Sequence, residues 1–259
     1  MDFVIDVLPM QILSPKDGPA AEVVNLGGRA AICLVCEHAS RRIPESLGTL
    51  GLSTDDQSSH AAWDLGAGDL ARQLSGRLDA PLVLGRISRL VHDCNRPPEQ
   101  SDATPERTET IDIPGNRNLT SEERSARARE VYEAFHQLLS DTLDGFDTKP
   151  VLVTVHSFTP QWFGKKRDTQ IGLLHDASDG MARAMMEVAP DKYKTELNQP
   201  YSAADGVTHL LAKHGTSRSI DNVMIEVRND LLDDDAAIED MAKTLTPMIE
   251  AAIERVGNS

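Results

Sequence analysis

The sequence has little positive charge. It contains 26 lysine and arginine residues against 41 aspartate and glutamate residues, which gives a net charge of -15 at pH 7. Nucleic acids and anionic membranes are polyanions, so this charge argues against both as partners. A small acidic substrate remains compatible with the composition, because its recognition needs only one or two local arginines.

Long apolar runs and a basic N-terminus are also missing. No apolar stretch approaches the roughly 18 residues that a membrane-spanning helix needs. The first residues, MDFVIDVLPMQIL, carry two aspartates and no basic side chain, so they do not resemble a signal peptide. We therefore expect a cytoplasmic protein with no membrane or nucleic-acid partner, and the sequence predicts no particular oligomeric state.

Cysteine is scarce, since only Cys33, Cys36 and Cys94 are present. Three thiols cannot all pair within one chain. Cys33 and Cys36 form a C-x-x-C pattern, which is typical of zinc and redox sites. The residues between them belong to an apolar run, however, and residues three apart on a strand face opposite sides. We interpret both as buried structural thiols.

Two well-known motifs do not apply. Residues 66–71 (GAGDLA) match the dinucleotide fingerprint G-x-G-x-x-A, but that fingerprint works only between a strand and a helix. Residues 59–64, which precede it, are helix-like in composition, so we expect no nucleotide site. The G-x-S-x-G elbow of serine hydrolases does not occur.

Strand-like and helix-like segments alternate along the chain. Residues 97–118 between them lack periodicity and are predicted to form a long loop, which in a compact domain is usually functional or disordered. Short apolar runs predict strands at residues 30–35, 81–84, 87–91, 151–155, 171–174 and 223–225. Helices are predicted at residues 59–78, from Thr120 with a capping box to Glu123, and at 181–188, 206–214 and 235–256. This alternation predicts one three-layer αβα domain over residues 1–259, with a mostly parallel sheet.

Four of the predicted strands end in polar side chains. In open α/β sheets the carboxyl ends of parallel strands open into the ligand crevice, so we expect these side chains to converge. The four endings are Glu37-His38, Asp93-Cys94-Asn95-Arg96, His156-Ser157, and Glu226 with Arg228.

The residue types in this group fit metal-assisted amide hydrolysis. Catalytic zinc is commonly held by three histidine or carboxylate ligands, with a fourth position open for water. Zinc lowers the pKa of that water to about 7, so it becomes a hydroxide nucleophile at neutral pH. A carboxylate that is not a ligand can accept the proton and pass it to the leaving amine, and an arginine can grip a substrate carboxylate.

The order of the motifs resembles that of the N-formylglutamate amidohydrolase family. The motifs are E-H-A-S-x-x-I-P, H-x-A-W-D-x-G-A, S-R-L-x-x-D-C-N-R-P, V-H-S-F, N-x-P-Y and I-E-V-R-N-D-L, and they run from Glu37 to Leu231. The resemblance implies a fold similar to that of zinc carboxypeptidases and aspartoacylase, with a mixed sheet flanked by helices and zinc at the strand ends. It also implies a zinc-dependent amidohydrolase of small N-acyl amino acids, with N-formyl-L-glutamate as the implied substrate.

Site roles follow from this resemblance position by position. His38 and His156 resemble the first and last zinc ligands, and Glu226 resembles the glutamate that acts as general base. Asn95 and Arg96 are similar to the Asn-Arg pair that receives the substrate carboxylate in zinc carboxypeptidases.

The middle zinc ligand departs from the carboxypeptidase pattern H-x-x-E, because the third residue after His38 is an arginine. Asp64 is our first choice for this ligand. His60 lies four residues earlier on the predicted helix 59–78, so it faces the same side and is either an alternative ligand or a substrate contact. Glu37 is a further alternative, although neighbouring strand residues face opposite sides. A metal-free site also stays open.

Further substrate contacts are predicted outside the motif core. Arg228 either lines the same crevice or pairs with Glu226, which shares its strand face. Asn116 and Arg117, in the long loop, form either a second carboxylate grip or a turn. Asp93 is expected to orient a neighbouring arginine or histidine by hydrogen bonding.

The sequence therefore predicts a hydrolase with one zinc ion as cofactor and a small N-acyl amino acid as substrate. Three alternatives remain at this point. One is a zinc deacylase or carboxypeptidase that acts on another amide. The second is a non-catalytic ligand-binding protein that retains the fold, and the third is a nucleophilic hydrolase without a metal.

Overall fold

Residues 10–257 of the chain are described by a computed structural model. The expectation that the N-terminus is not a signal peptide rests largely on residues 1–9, which lie outside the described residues. None of the helices in the described range is long and apolar enough to cross a membrane.

The described chain forms eleven strands and six α-helices, joined by shorter helical turns. The strands are β1 (Ala21–Val24), β2 (Ile32–Cys36), β3 (Leu82–Gly85), β4 (Arg107–Thr108), β5 (Ile111–Asp112), β6 (Val151–Phe158), β7 (Gln161–Trp162), β8 (Lys165–Lys166), β9 (Ile171–Leu174), β10 (Thr195–Leu197) and β11 (Asn222–Arg228). The α-helices are α1 (Thr54–Ser58), α2 (Ala67–Leu78), α3 (Ser121–Arg127), α4 (Ala134–Asp144), α5 (Gly180–Glu187) and α6 (Asp235–Val256). Two π-helical segments are Ala128–Glu133, which joins α3 to α4, and Leu211–Gly215.

Seven of the strands form one central sheet in the order β1-β3-β2-β6-β11-β9-β10. The four central strands β3, β2, β6 and β11 are parallel to one another. The outer strand β1 is antiparallel to β3, and β9 is antiparallel to β11 while β10 is parallel to β9. The prediction of a mixed, mostly parallel sheet is confirmed.

Helices and loops cover both faces of this sheet. On one face α2 and α6 pack through side chains such as Leu74 and Leu245, together with α5. On the other face α4 packs through Phe135 and Leu139, next to Ile12 of the N-terminal segment. Burial on both faces explains why the central strands read as continuous apolar runs. The predicted three-layer α/β architecture is confirmed.

The two cysteines of the C-x-x-C pattern lie on opposite faces of β2. Cys36 belongs to the core that packs against α2 and α6, whereas Cys33 belongs to the core on the α4 side. Both thiols are free and fully buried. Burial raises the pKa of Cys33 to about 12, so it is protonated at neutral pH. The interpretation of these residues as structural thiols is confirmed.

Two of the predicted helices begin at a residue whose side chain caps the first turn. Thr120 accepts a hydrogen bond from the backbone N–H of Glu123, and the Glu123 side chain accepts one in return from Thr120, which completes the capping box. Asp234 caps α6 in the same manner through the backbone N–H of Ala237. These caps satisfy amide groups that would otherwise lack partners at the first helical turn.

Two predicted elements next to the pocket differ from the structure. The helix expected at residues 59–78 begins only at Ala67, because Gly66 adopts a left-handed conformation with φ of 74° that a helix does not continue through. The strand expected at residues 87–91 is a series of turns instead. There the Ser88 hydroxyl donates to the Ala62 carbonyl at 2.8 Å, so polar contacts replace ladder pairing.

Candidate metal centre and active-site pocket

A pocket of about 250 Å³ opens at the carboxyl ends of β2, β6 and β11. These strands are parallel neighbours, and this edge of the sheet is where the sequence predicted a ligand crevice. The pocket is lined by His38, His60, Ala61, Asp64, Arg89, Asn95, Arg96, Thr108, His156, Ser157, Phe158, Thr159, Trp162, Tyr201, Val207 and Glu226.

His38 reaches the pocket because the chain turns sharply after β2 ends at Cys36. The turn passes very close to the end of β3, where a Cβ atom on Gly85 would lie 2.1 Å from the Glu37 carbonyl oxygen. Only glycine leaves room for this approach. Glu37 and His38 are each 2% exposed, and of the two only His38 lines the pocket.

His156 and Glu226 are brought to the same place by the register of two strands. They are directly opposite each other in the parallel pair of β6 and β11. Side chains directly opposite in a sheet project from the same face. The rings of His156 and His38 meet edge to face, with centroids 5.1 Å apart.

Asp64 reaches the two histidines from an irregular turn, not from a helix. Its backbone N–H donates to the His38 carbonyl at 3.0 Å, which fixes the turn against the end of β2. The helical face that was predicted to hold His60 beside it does not exist. His60 lies at the mouth of the pocket, where its Nε2 is 3.0 Å from Oε2 of Glu109.

His38, Asp64 and His156 each offer one ligand atom within a small volume. These atoms all lie within 4.8 Å of one another, and all three residues are buried. Oδ2 of Asp64 is 2.9 Å from Nδ1 of His156 and 3.4 Å from Nδ1 of His38. Two imidazole nitrogens with one carboxylate oxygen are a known donor set for catalytic zinc, which keeps one position open.

The outer nitrogens of both imidazoles face carboxylates. Nε2 of His38 is 2.8 Å from Oδ1 of Asp93, and Nε2 of His156 is 3.1 Å from Oε1 of Glu37, at an angle too poor for a hydrogen bond. A carboxylate at Nε2 favours the proton there and leaves Nδ1 with a lone pair. The lone pairs of His38 and His156 then point toward Asp64, so that the three side chains can bind one cation.

The electrostatics of the site favour bound positive charge. Burial alone would lower the pKa of His38, but Asp93 and Asp64 outweigh it and raise this pKa above its ordinary value. For His156 the same balance, with Glu37 as the main opposing charge, raises the pKa well above the ordinary value. Without a metal, protons on the imidazoles partly neutralise the surrounding carboxylates. The residues present therefore fit a divalent cation.

Arg89 holds the carboxylates of this centre in place. Its Nη2 donates to Oδ2 of Asp93 at 2.6 Å, and its Nη1 is 3.5 Å from Oδ1 of Asp64. Burial would raise the pKa of Asp93, but Arg89 and His38 hold it well below its ordinary value. Asp93 thus contacts both an arginine and a histidine, as the sequence led us to expect.

Glu226 differs from the other carboxylates of the pocket. Burial raises its pKa to about 7, and the nearby His156 only partly offsets this effect. Its Oε2 is buried and has no hydrogen-bond partner among the described residues. A carboxylate with a pKa near neutrality and a free oxygen is suited to accept and release a proton.

Asn95 and Arg96 both line the pocket, but they differ in how many of their polar atoms already have hydrogen-bond partners. The Asn95 amide donates to the Val207 carbonyl at 2.6 Å and accepts from the Leu210 N–H at 2.9 Å. Arg96 pairs with Asp102 through Nε at 3.0 Å, and its Nη1 donates to two carbonyls. Within residues 10–257, its Nη2 group donates no hydrogen bond, unlike Nε and Nη1.

The structure does not bring Arg228, Asn116 or Arg117 to this pocket. Arg228 pairs with Asp230 at 2.8 Å and not with Glu226. Asn116 is fully buried and donates to two backbone carbonyls, so its side chain stabilises the loop. Arg117 is exposed and pairs with an aspartate of β5 at 3.4 Å.

Sequence reasoning missed several pocket residues. Arg89 stands in the quoted motif S-R-L, and its position four residues before Asp93 was the available signal. Trp162 and Tyr201 form part of the wall, and Arg167 lies over their rings at 5.1 Å and 4.7 Å. Arg167 and Trp162 are close in sequence, but Tyr201 comes from a distant segment, so no local pattern predicts that it packs against Arg167.

The sequence model of the N-formylglutamate amidohydrolase family matches residues 30–232. The chain belongs to this family. Its members are hydrolases that act on amide bonds, so the predicted enzyme class is confirmed. The matched range contains every residue of the candidate metal centre. No curated protein matches the chain at a significant level.

Two solved structures are similar to this member of the N-formylglutamate amidohydrolase family over most of its length. A gene product from Agrobacterium tumefaciens is 43% identical, with a TM-score of 0.93 over 95% of this chain and 100% of that chain. An N-formylglutamate amidohydrolase from Ralstonia eutropha is 16% identical, with a TM-score of 0.66 over 93% of this chain and 99% of that one. The second likeness shows a shared fold.

A metallo-carboxypeptidase from Burkholderia cenocepacia is 12% identical and gives a TM-score of 0.38, over 93% of this chain and 66% of that chain. A similarity at this level supports no conclusion about the chemistry of this chain.

Proposed function

We propose that this chain is a zinc-dependent amidohydrolase that cleaves a small N-acyl amino acid, with N-formyl-L-glutamate as the leading candidate. The observation that carries the proposal is the convergence of His38, Asp64 and His156, whose ligand atoms lie within 4.8 Å of one another beside the free oxygen of Glu226. The family membership supports the amide bond as the target.

His38 and His156 would hold the metal through Nδ1, and Asp64 through its carboxylate. When bound, zinc supplies a Lewis acid that polarises the amide carbonyl and makes water acidic near neutral pH. Asp93 bonds to Nε2 of His38 and Glu37 lies 3.1 Å from Nε2 of His156, so both carboxylates would favour a proton on Nε2 and leave both Nδ1 atoms available to a metal. A fixed tautomer and a fixed ring orientation increase the affinity of such a site.

Glu226 would move the protons of the reaction. Its Oε2 accepts a proton from the attacking water, and the same carboxyl group later donates a proton to the leaving amine. Both transfers are favourable only when the pKa of the group lies near the working pH. Without a metal, burial raises the pKa of Glu226 to about 7, which supports its assignment to this role.

Arg96 would bind the carboxylate of the substrate through its Nη2 group. Its other nitrogens are held by Asp102 and by the carbonyls of Asn95 and Gly206, so the guanidinium is oriented before the substrate arrives. Asn95 would contribute by tying residues 207–210 to the same loop. Charge-assisted hydrogen bonds to a carboxylate are stronger than neutral ones.

The proposal is tested by metal analysis followed by an activity assay. Protein purified without chelators is expected to contain close to one zinc per chain and to release formate from N-formyl-L-glutamate. N-acetyl-L-glutamate, N-formyl amino acids with other side chains, and short peptides serve as competing substrates. Protein that lacks metal and stays inert on the whole panel after zinc is added would refute the proposal.

A further inference from the structure

Two small hairpins meet above the mouth of the pocket. One is formed by β4 and β5, and the other by β7 and β8. Thr108 of the first hairpin and Trp162 of the second both line the pocket, with His60 between them. We call these two hairpins the roof.

A single carboxylate joins the segments of the roof. Oε2 of Glu109 is 3.0 Å from Nε2 of His60, and Oε1 accepts a hydrogen bond from the Phe163 backbone N–H at 3.2 Å. Glu109 is 49 residues from His60 and 54 residues from Phe163 along the chain. Its side chain is only 17% exposed although it lies near the surface. The carboxylate therefore forms a cross-link between three distant segments.

Both hairpins place a non-glycine residue in the left-handed region at this junction. Glu109 has a φ of 49° and Phe163 a φ of 47°. Side chains with a Cβ adopt this conformation reluctantly, and it persists where the surroundings enforce it. Each is the first residue of a two-residue hairpin loop, where a positive φ is usual, and the Glu109 carboxylate links the two loops.

The second hairpin is also held from its outer side. Arg167 donates from its backbone N–H to the Pro160 carbonyl at 2.8 Å, and its guanidinium lies 5.1 Å from the centre of the Trp162 ring. The His60 ring meets the same tryptophan edge to face at 6.3 Å. Trp162 thus packs against both Arg167 and His60. The Glu109 carboxylate holds the turn that follows it, at Phe163.

We propose that Glu109 is a specificity-determining residue that clamps the roof over the pocket and restricts substrates to short N-acyl amino acids. This inference rests on the proposed function. The metal ligands lie at the bottom of a pocket of about 250 Å³, so a substrate that reaches them must fit beneath the roof. Long acyl chains and peptides need the two hairpins to separate, and the Glu109 carboxylate opposes that separation.

The test compares Glu109→Ala with Glu106→Ala in the zinc-loaded enzyme. Glu106 lies just before the same hairpin and is exposed, so it controls for loss of a negative charge nearby. The kcat/KM values are measured for the N-formyl, N-acetyl, N-butyryl and N-hexanoyl derivatives of L-glutamate. Glu109→Ala is expected to raise the hexanoyl-to-formyl ratio at least about 10-fold, which corresponds to 1.4 kcal/mol of discrimination. Glu106→Ala is expected to keep the wild-type ratio.

Hydrogen–deuterium exchange provides a readout that needs no activity. Loss of the Glu109 carboxylate removes the acceptor of the Phe163 N–H, so exchange is expected to accelerate in residues 161–166 and not in the central sheet. Unchanged exchange in Glu109→Ala would overturn the clamp. Accelerated exchange with an unchanged acyl-chain ratio would overturn the role in specificity.

A further variant covers the possibility that Glu109→Ala does not fold. Glu109→Gln keeps the volume and one acceptor for the Phe163 N–H, and it is expected to shift the ratio in the same direction by a smaller factor. A ratio equal to that of the wild type would then overturn the inference. A wild-type enzyme that hydrolyses none of these derivatives would refute the proposed function, whereas the exchange measurement would still decide whether Glu109 joins the hairpins.

Discussion

Glu226 stands directly opposite His156 in the register of β11 and β6, and both side chains are buried in the same pocket. The strand pair therefore delivers a candidate metal ligand and a candidate proton carrier at a fixed distance from each other. A difference of one residue in this register would turn one of the two side chains to the other face of the sheet.

The first prediction concerns the proton carrier. Glu226→Gln keeps the size of the side chain but removes its ability to accept a proton. Turnover is expected to fall by about 10²–10⁴-fold, which is the range for loss of a general base. The zinc content and the affinity for a substrate analogue are expected to stay close to those of the wild type, and Glu250→Gln on the exposed face of α6 serves as the control. Retained turnover would remove Glu226 from the mechanism.

The second prediction concerns the carboxylate behind His38. Asp93→Asn preserves the shape of the side chain but weakens its hold on the proton at Nε2 and its pairing with Arg89. Zinc affinity is expected to fall by about 10–100-fold, as is typical for partners of metal-bound histidines. Competition with a chromophoric chelator at constant pH measures this affinity. The exposed Glu99→Gln, six residues further on, is expected to bind zinc as the wild type does.

The third prediction separates two arginines that the sequence proposed for the substrate carboxylate. Arg96→Ala is expected to raise KM by about 10–100-fold, because hydrogen bonds to charged groups contribute roughly 1.5–3 kcal/mol. Arg117→Ala is expected to leave KM unchanged, because Arg117 is exposed and pairs with Asp112 outside the pocket. A larger increase in KM for Arg117→Ala than for Arg96→Ala would contradict the assignment of Arg96 to the substrate carboxylate.

The fourth prediction concerns stability and pH at a site remote from the metal centre. His214 is buried, and its Nε2 is 2.7 Å from Nδ1 of His136, which in turn bonds to the Cys94 carbonyl through its own Nε2. Burial, together with nearby Arg218 and Lys213, lowers the pKa of His214 to about 4. The unfolded chain therefore takes up a proton at this residue near pH 6.5, well before the folded chain does.

This difference makes the contribution of His214 to stability decrease as the pH falls from about 6.5 to 4. The free energy of unfolding, measured in urea, is compared for the wild type and His214→Gln at pH 7 and pH 5. The stability advantage of the wild type over the variant is expected to shrink at pH 5, by an amount on the order of 1–2 kcal/mol. An advantage that grows as the pH falls would mean that His214 is charged in the folded protein.

How far the sequence could predict this structure depends on the range of the interactions involved. The sheet and the two histidines were predictable, because apolar runs followed by polar residues mark the ends of buried parallel strands. Asp64 lies beside both histidines, as the sequence led us to expect, but the helical face from which we inferred this does not exist. The backbone contact between Asp64 and His38 holds it there, and a helical face plays no part.

The remaining parts of the site depend on contacts between distant segments. Arg89 reaches Asp64 and Asp93 through a turn that was predicted as a strand, and no periodicity reveals such a turn. Asn116 was a reasonable candidate for a substrate contact, but its burial against backbone carbonyls follows from the course of a long loop. The Glu109 contact to Phe163 joins two hairpins whose relative position is set by the whole fold.

A crystal of the zinc-loaded protein, measured at the zinc absorption edge, tests the central claim most directly. One strong anomalous peak is expected within about 2.3 Å of Nδ1 of His38, Nδ1 of His156 and a carboxylate oxygen of Asp64. A peak bound to other side chains, or no peak at these three residues at full zinc loading, would contradict the proposed metal centre.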